Sequence, residues 1–358
     1  MTGDEDDIGC GSRPSFSHLI ALSDDHGVFE HALLDVPRRD HGYCVDDVAR
    51  ALVVLLREPE PTPALLRLTD TCFRFLEGAV DKDGRVHNRM AAGGGWTDEP
   101  ALGDWWGRAL QALGAAAAHA PTGQTRSRAL TAFHRAASVR SPHGRALAFA
   151  TLGAADVLAA YPDDLCARAL LLDGISSIPT PPDDSWPWPE QRLRYANAAL
   201  PEALLAGGTA TDNPRIVARG LSMLRFLVDL ETSHGHLSVT GTDGRGPAQR
   251  SAQFDQQPIE VAAIADACAR AYELTGESSW RDGVASAWAW FAGDNDAATA
   301  MFDPESGAGF DGLEANGRNE NRGAESTLAA LSTYQHARRV GVLELVPSSG
   351  QRILSGRQ

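Results

Sequence analysis

Hydrophobic and small residues are concentrated in six alanine- and leucine-rich segments that are separated by more polar stretches. These segments begin near Asp46, Gly107, Gly144, Tyr195, Gln256 and Gly323. Because small residues cover most faces of each segment, other helices can surround it. The pattern therefore predicts six inner helices, with polar side chains at their starts and not along their length.

Amphipathic segments alternate with these six. Residues 64–79, for example, place Leu65, Leu68 and Cys72 at helical spacing, which predicts an outer helix with one buried face. Further outer helices are predicted at 124–137, at 163–174, at 214–231 and around Trp280. Inner and outer helices in alternation predict an all-α fold, an (α/α)6 toroid or six-hairpin barrel, with long loops on one face. A stacked open solenoid is the alternative.

The two ends of the chain depart from this pattern. Residues 1–13 are acidic and are expected to form a disordered tail, and residues 342–358 a weakly structured one. One toroidal domain is therefore expected over residues 14–341.

Charge and cysteine content exclude several classes of protein. The chain has 47 acidic and 32 basic residues and a net charge of −15, so neither nucleic acid nor an anionic membrane is an expected partner. Five scattered cysteines, no signal-peptide pattern and no apolar run near the roughly 20 residues of a membrane helix predict a cytoplasmic protein. Arginine is the basic residue almost throughout, with Lys82 the exception, which suggests a bacterial genome rich in GC.

Polar candidates cluster where the predicted inner helices begin. In chain order they are His41, Asp46, Asp47, Asp104, Trp186, Trp188, Glu190, Asn197, Asp255, Gln256, Gln257, Glu260, Asn321, Arg322 and Glu325. If the ring closes, all of them face one funnel. Indole rings stack on the C–H face of a sugar, while amides and carboxylates bind its hydroxyls. The set therefore indicates a carbohydrate site.

Cleavage of a glycosidic bond needs two carboxyl groups, one protonated to assist the leaving oxygen and one ionised to activate water or attack directly. We expect Glu190 or Asp104 to be the general acid and Asp255 or Asp46 the base. The other candidates are expected to bind the sugar, and they are His41, Asp47, Trp186, Trp188, Asn197, Gln256, Gln257, Glu260, Asn321, Arg322 and Glu325.

An acidic residue at a helix start has a second explanation, because it can cap the helix or interact with its dipole. This applies above all to Asp46 and Asp47. His26, His31 and His41 lack the i, i+4 spacing of a helical zinc site, and no phosphate-binding glycine loop or G-x-S-x-G motif occurs. We therefore expect no metal and no cofactor.

Several separate stretches resemble one family, a bacterial helical domain that occurs alone or fused behind glycosyltransferase modules. They span residues 22–27, 41–51, 107–110, 254–260 and 321–327. The resemblance implies an (α/α)6 barrel and a carbohydrate context. Arg322 departs from the glutamine expected at that position, and Trp105 and Trp106 stand where polar residues are expected.

The leading hypothesis is an inverting glycoside hydrolase that acts on a small oligosaccharide. One alternative is a non-catalytic glycan-binding module that serves a partner glycosyltransferase. Another is a sugar epimerase or isomerase, which similar toroids support with pairs of histidines. The predicted funnel offers chiefly His41 for that chemistry.

Overall fold

The computed structural model describes residues 15–181, 185–249 and 251–343, and helices dominate these ranges. The α-helices are α1 (Ser17–Ala21), α2 (Val45–Arg57), α3 (Pro63–Ala79), α4 (Asp104–His119), α5 (Gly123–Ala136), α6 (Gly144–Ala160), α7 (Leu165–Ser177), α8 (Ala199–Ala210), α9 (Pro214–Leu230), α10 (Pro258–Thr275), α11 (Ser278–Ala292) and α12 (Ala324–Arg339). The all-α prediction is confirmed.

Short strands in the described loops form five antiparallel pairs. They are β1 (Ala32–Leu33) with β2 (Val36–Pro37), β3 (Tyr43–Cys44) with β4 (Arg89–Met90), β5 (Thr232–Ser233) with β6 (His236–Leu237), β7 (Phe302–Asp303) with β8 (Ala308–Gly309), and β9 (Gly312–Glu314) with β10 (Gly317–Asn319). In the longest pair, Gly317 lies opposite Glu314 and Asn319 opposite Gly312.

The inner helices form a closed ring. Helix α2 packs on α4, α4 on α6, α6 on α8, α8 on α10, α10 on α12, and α12 returns to α2. An open solenoid would leave the first and last helices apart, so the predicted (α/α)6 toroid is confirmed. Helices α3, α5, α7, α9 and α11 form the outer layer, each against the inner helix before it, and the short α1 packs on α12.

Small residues allow the inner helices to approach each other closely, as their alanine-rich composition predicts. A Cβ atom added at Gly114 of α4 would lie 2.2 Å from the carbonyl oxygen of Gly153 in α6. A Cβ added at Gly153 would lie 2.1 Å from the carbonyl oxygen of Leu110. The two backbones are therefore in direct contact, and no larger residue fits at either position.

Long connections end at the first turns of inner helices, which places them together at one end of the ring. They span residues 80–103, 178–198, 231–257 and 293–323. The fourth inner helix begins at Ala199, later than the predicted start near Tyr195. Ala196 has a φ of 44°, and the Asn197 side chain accepts a hydrogen bond from the backbone N–H of Arg194, so a turn precedes the helix.

The predicted tail at 1–13 and most of that at 342–358 lie outside the described residues, and the domain boundaries stay predictions. Within the described ranges, no helix combines the length and the apolar character needed to cross a bilayer.

Candidate functional site

A cavity of about 410 Å³ opens among the amino-terminal ends of the inner helices. Its lining residues are Glu30, His31, Cys44, Asp46, Asp47, Arg50, Arg89, Asp104, Tyr195, Gln257, Asp311, Gly323, Glu325 and Ser326. We call it the loop-end cavity. It brings together five of the predicted candidates, which are Asp46, Asp47, Asp104, Gln257 and Glu325.

The acids in this cavity do not cap their helices. Helix α2 has Cys44 at its N-cap position and α12 has Gly323, and neither forms a side-chain cap. Outer helices begin differently, since Thr62 and Asp164 accept hydrogen bonds from the first turns of α3 and α7. The capping explanation of the acids is therefore not supported, although the dipole of each helix still favours a negative charge there.

Arg50 joins three of the lining side chains. Its Nη1 atom lies 2.6 Å from Oδ1 of Asp47, and its Nη2 atom lies 2.7 Å from Oε2 of Glu325. Nη2 also donates to the Tyr195 hydroxyl, which in turn donates to Oε2 of Glu325 at 3.3 Å. The guanidinium group is buried, so it fixes the positions of Glu325 and Tyr195, which belong to distant parts of the chain.

Burial shifts the proton equilibria of two acids in the cavity. It raises the pKa of Asp47 to about 8, because desolvation outweighs the stabilising charge of Arg50 and the Glu325 charge adds to it. The pKa of Asp104 is also raised, first by burial and then by the neighbouring negative charge of Asp46. A carboxyl group that keeps its proton beside an ionised one is what general acid catalysis requires.

Sequence reasoning did not select several lining residues, among them Glu30, Arg50, Arg89 and Tyr195. Arg50 was detectable, because it follows Asp47 by three residues on the same helix face, the spacing of an ion pair. Arg89 lies in the glycine-rich loop before α4 and binds Glu30. No local pattern connects those two residues.

Among the described residues, one group of side chains could hold a metal ion. Glu30, Cys44 and Asp47 each offer one ligand atom, and these atoms lie within 4.8 Å of one another. In this structure the two carboxylates are bound by arginines, Glu30 by Arg89 and Asp47 by Arg50.

Trp186 and Trp188 are packed in the core, which corrects their predicted role as a stacking surface for sugar. Trp188 is fully buried and Trp186 is 8% exposed. The Trp186 ring meets Phe226 edge-on with the centroids 5.3 Å apart, and the Trp188 ring lies 6.4 Å from the same phenyl group. The proline-rich loop folds inward, so neither indole offers a face to a ligand.

Asn197, Gln256 and Glu260 are buried as well, and they bind other groups of the protein instead of lining the cavity. Glu260 accepts hydrogen bonds from the backbone N–H groups of Ala196 and Asn197 and from the Asn197 side chain, and thereby ties α10 to the turn before α8. Burial raises the pKa of Glu260 to about 7. Gln256 donates to Asp296 at 2.6 Å. Direct sugar contact by these three side chains is therefore not supported.

Glu190 and Asp255 do not line the loop-end cavity. Oε2 of Glu190 lies 2.6 Å from Arg145, so this carboxylate is engaged in an ion pair. Oδ1 of Asp255 is buried against Gly312 and has no hydrogen-bond partner among the described residues. Burial raises the pKa of Asp255, and the nearby charge of Glu314 raises it further. The structure thus keeps Asp46 and Asp104 as the acids that meet in one cavity.

The remaining candidates, His41, Asn321 and Arg322, do not line the loop-end cavity. Nε2 of His41 lies 3.6 Å from Asp40. Oδ1 of Asn321 accepts from the backbone N–H of Leu34 and thereby holds the β1–β2 hairpin. The Arg322 guanidinium lies 4.9 Å from the centroid of the Phe310 ring and 3.6 Å from Asp303.

No protein-family model and no curated protein matches this sequence. Solved structures do share its fold. A cellobiose 2-epimerase from Bacillus thermoamylovorans matches with a TM-score of 0.68 and 12% identity over 91% of this chain and 96% of that one. A sugar epimerase from a ruminal bacterium matches with a TM-score of 0.67 and 12% identity. The match covers 89% of this chain and 95% of that one. The cellulase Cel9M of C. cellulolyticum in complex with cellobiose matches with a TM-score of 0.61 and 10% identity. The match covers 96% of this chain and 91% of that one.

Proposed function

We propose that this protein is a glycoside hydrolase that acts on a small oligosaccharide, with Asp104 as the general acid and Asp46 as the general base. One observation carries this: both carboxyl groups line the loop-end cavity, and burial together with the charge of Asp46 raises the pKa of Asp104. The shared fold of a cellulase that holds cellobiose adds support.

In this mechanism Asp104 donates its proton to the glycosidic oxygen as the bond to the anomeric carbon breaks. Asp46 accepts a proton from the water that attacks the opposite face of the sugar. Such single displacement inverts the anomeric configuration and requires carboxyl groups about 6.5–9.5 Å apart. Gln257 and Glu325 also line the cavity and are the proposed partners of the sugar hydroxyl groups, and an ion pair joins Glu325 to Arg50.

A panel of oligosaccharides, followed by NMR for released sugar and for the anomer first formed, tests the proposal. We expect release of the inverted anomer and a loss of roughly 10²- to 10⁴-fold in kcat for Asp104→Asn and for Asp46→Asn. Asp70→Asn is the matched control, since Asp70 lies on the exposed face of α3 and pairs with Arg74. Full activity in Asp104→Asn would exclude the assigned acid.

A sugar epimerase or isomerase is the second candidate, because two of the structures that share this fold are sugar epimerases. His31 lines the loop-end cavity and is the histidine available there among the described residues. Incubation with cellobiose in deuterated water distinguishes this candidate. Deuterium at the carbon next to the carbonyl, without chain cleavage, would favour it over hydrolysis.

A glycan-binding module that serves a partner glycosyltransferase would use the same cavity without chemistry. It would retain its ligand in Asp46→Asn and in Asp104→Asn and show no turnover with any sugar. Isothermal titration of the two variants with the sugars of the panel separates that outcome from catalysis.

A further inference from the structure

The loop-end cavity contains far more negative than positive charge. Six carboxylates, Glu30, Asp46, Asp47, Asp104, Asp311 and Glu325, line it against two arginines, Arg50 and Arg89, among the described residues. Burial favours the protonated form of Asp47 and of Asp104. With both of these neutral, four carboxylates still face two guanidinium groups.

Both lining arginines are already bound to acids. Arg50 pairs with Asp47 and with Glu325, and Arg89 pairs with Glu30. A phosphate or carboxylate on a ligand would have to displace a carboxylate of the protein to reach the buried Arg50. Such an exchange leaves the displaced acid without its partner and costs the energy of a broken ion pair. Arg89 is more exposed, but Glu30 already balances its charge.

Two arginines behind the lining, Arg108 and Arg145, also contact other groups of the protein. The Arg108 guanidinium lies 3.6 Å from the centroid of the Phe149 ring, and its Nη1 donates to Gln111. Arg145 lies 2.6 Å from Glu190 and also donates to the backbone carbonyl of Tyr195. The charges of Arg108 and Arg145 still act on Asp104. Glu190 balances Arg145, so the acids of the lining remain in excess within the described part of the chain.

Hydrogen-bonding capacity points in the same direction. An ionised carboxylate only accepts hydrogen bonds, so a ligand group that contacts one of these ionised acids has to donate. Sugar hydroxyl groups and protonated amino groups are donors, whereas phosphate and uronate groups bring further acceptors and a like charge.

We infer that the loop-end cavity takes sugars without negative charge, and that it excludes phosphorylated, uronic and nucleotide-linked sugars. If the protein is the hydrolase proposed above, it follows that water and not inorganic phosphate accepts the glycosyl group. Only this statement about the acceptor depends on the proposed function, because the charge preference concerns binding.

Ligand-observed NMR at one ionic strength tests the preference. It compares glucose, mannose and glucosamine with glucose 6-phosphate, mannose 6-phosphate and glucuronate. We expect the neutral and amino sugars to bind at least about tenfold more tightly, because juxtaposed like charges weaken binding. Equal or tighter binding of a phosphate or uronate overturns the inference, and so does a failure of every neutral sugar to bind.

Glu30→Gln sharpens the test, because it leaves Arg89 without its partner. We expect this variant to bind the sugar phosphates several-fold more tightly than the wild type. Glu77→Gln is the matched control, since it releases Arg128 on the outer helices by the same substitution and should change nothing. If Glu30→Gln favoured neutral sugars over sugar phosphates as strongly as the wild type does, the Arg89–Glu30 ion pair would not contribute to the exclusion of phosphates.

Turnover separates this inference from the proposed function. Preferential binding of neutral sugars without any turnover removes the hydrolase and keeps the charge preference. Turnover that releases a sugar phosphate in phosphate buffer overturns the preference and keeps an enzyme acting on carbohydrate.

Discussion

The two ends of the helical ring hold their charged side chains differently. At the loop end, acids outnumber arginines. At the opposite end, around the last turns of α2, α10 and α12, each of three arginines has its own carboxylate. Arg57 lies 3.0 Å from Asp266, Arg270 lies 3.1 Å from Glu202, and Arg339 lies 3.0 Å from Glu273. We call these six residues the far-end cluster.

The pKa values of Asp47 and Asp266 illustrate the difference between the two ends. Burial raises the pKa of Asp47 at the loop end, and Arg50 does not offset it. Burial acts in the same direction on Asp266, but Arg57 and His336 together hold the pKa of Asp266 far below its ordinary value. Matched cations therefore favour the ionised form of Asp266, although burial still raises the pKa of Glu202 beside Arg270. The acids of the loop end that lack such matching are costly to bury, as is typical of functional sites.

The largest effect should follow from breaking the matched end. Asp266→Asn removes the carboxylate that Arg57, Ser332 and His336 share. We expect the free energy of unfolding to fall by about 3 kcal/mol, the lower end of the range for a broken buried pair, because water reaches part of this pair. Urea unfolding followed by tryptophan fluorescence measures the change.

Asp70→Asn serves as the control here too, because its partner Arg74 is also exposed. An exposed pair on one helix contributes about 0.5 kcal/mol or less. If Asp266→Asn were no more destabilising than this control, the far-end cluster would not be a stabilising feature.

The layers of the fold were predictable from the sequence, because an inner helix needs small residues on most faces and an outer helix needs one apolar stripe. The close contact of Gly114 with Gly153 is the physical basis of that pattern. Loop lengths placed the polar residues at one end of the ring, and Asp46 and Asp104 do line one cavity there.

Side-chain direction in the loops was not predictable. Trp188 lies between two prolines, a setting typical of an exposed loop, yet its ring packs near Phe226 in the interior. Asn197 and Glu260 lie close to the starts of α8 and α10, as ligand-binding residues would, but they bind each other. In both cases the direction of the side chain depends on contacts between distant segments, and no local sequence pattern predicts such contacts.

An intermediate effect is expected from pH. Burial raises the pKa of Asp47 to about 8, whereas an unfolded aspartate titrates near about 4. The folded state therefore binds this proton more tightly, and its stability falls as the pH rises between those values. Because one proton is involved, the free energy of unfolding can fall by at most about 1.4 kcal/mol per pH unit. Water that enters the cavity reduces the desolvation of Asp47 and therefore this decline. We expect the free energy of unfolding to fall by something on the order of 2 kcal/mol from about pH 5 to about pH 8.

Urea unfolding of the wild type and of Asp47→Asn at both pH values measures this loss. The variant should show a flatter dependence, because the asparagine side chain does not titrate. Asp266→Asn should keep the full decline, since the depressed pKa of Asp266 makes its contribution complete above the ordinary aspartate range and lost only in acid. A wild type that gains stability towards pH 8 would contradict the raised pKa of Asp47.

The smallest effect separates two explanations of an acid at a helix start. If Asp104 is held at α4 for catalysis, its burial next to Asp46 is unfavourable, and Asp104→Asn should raise the free energy of unfolding at neutral pH by about 0.5–1 kcal/mol while activity is lost. If the helix dipole is its main partner, the same substitution should lower stability by a similar amount. Urea unfolding and turnover measured on one preparation decide between them. The catalytic explanation predicts higher stability and lost activity in Asp104→Asn. The dipole alone predicts lower stability and unchanged activity.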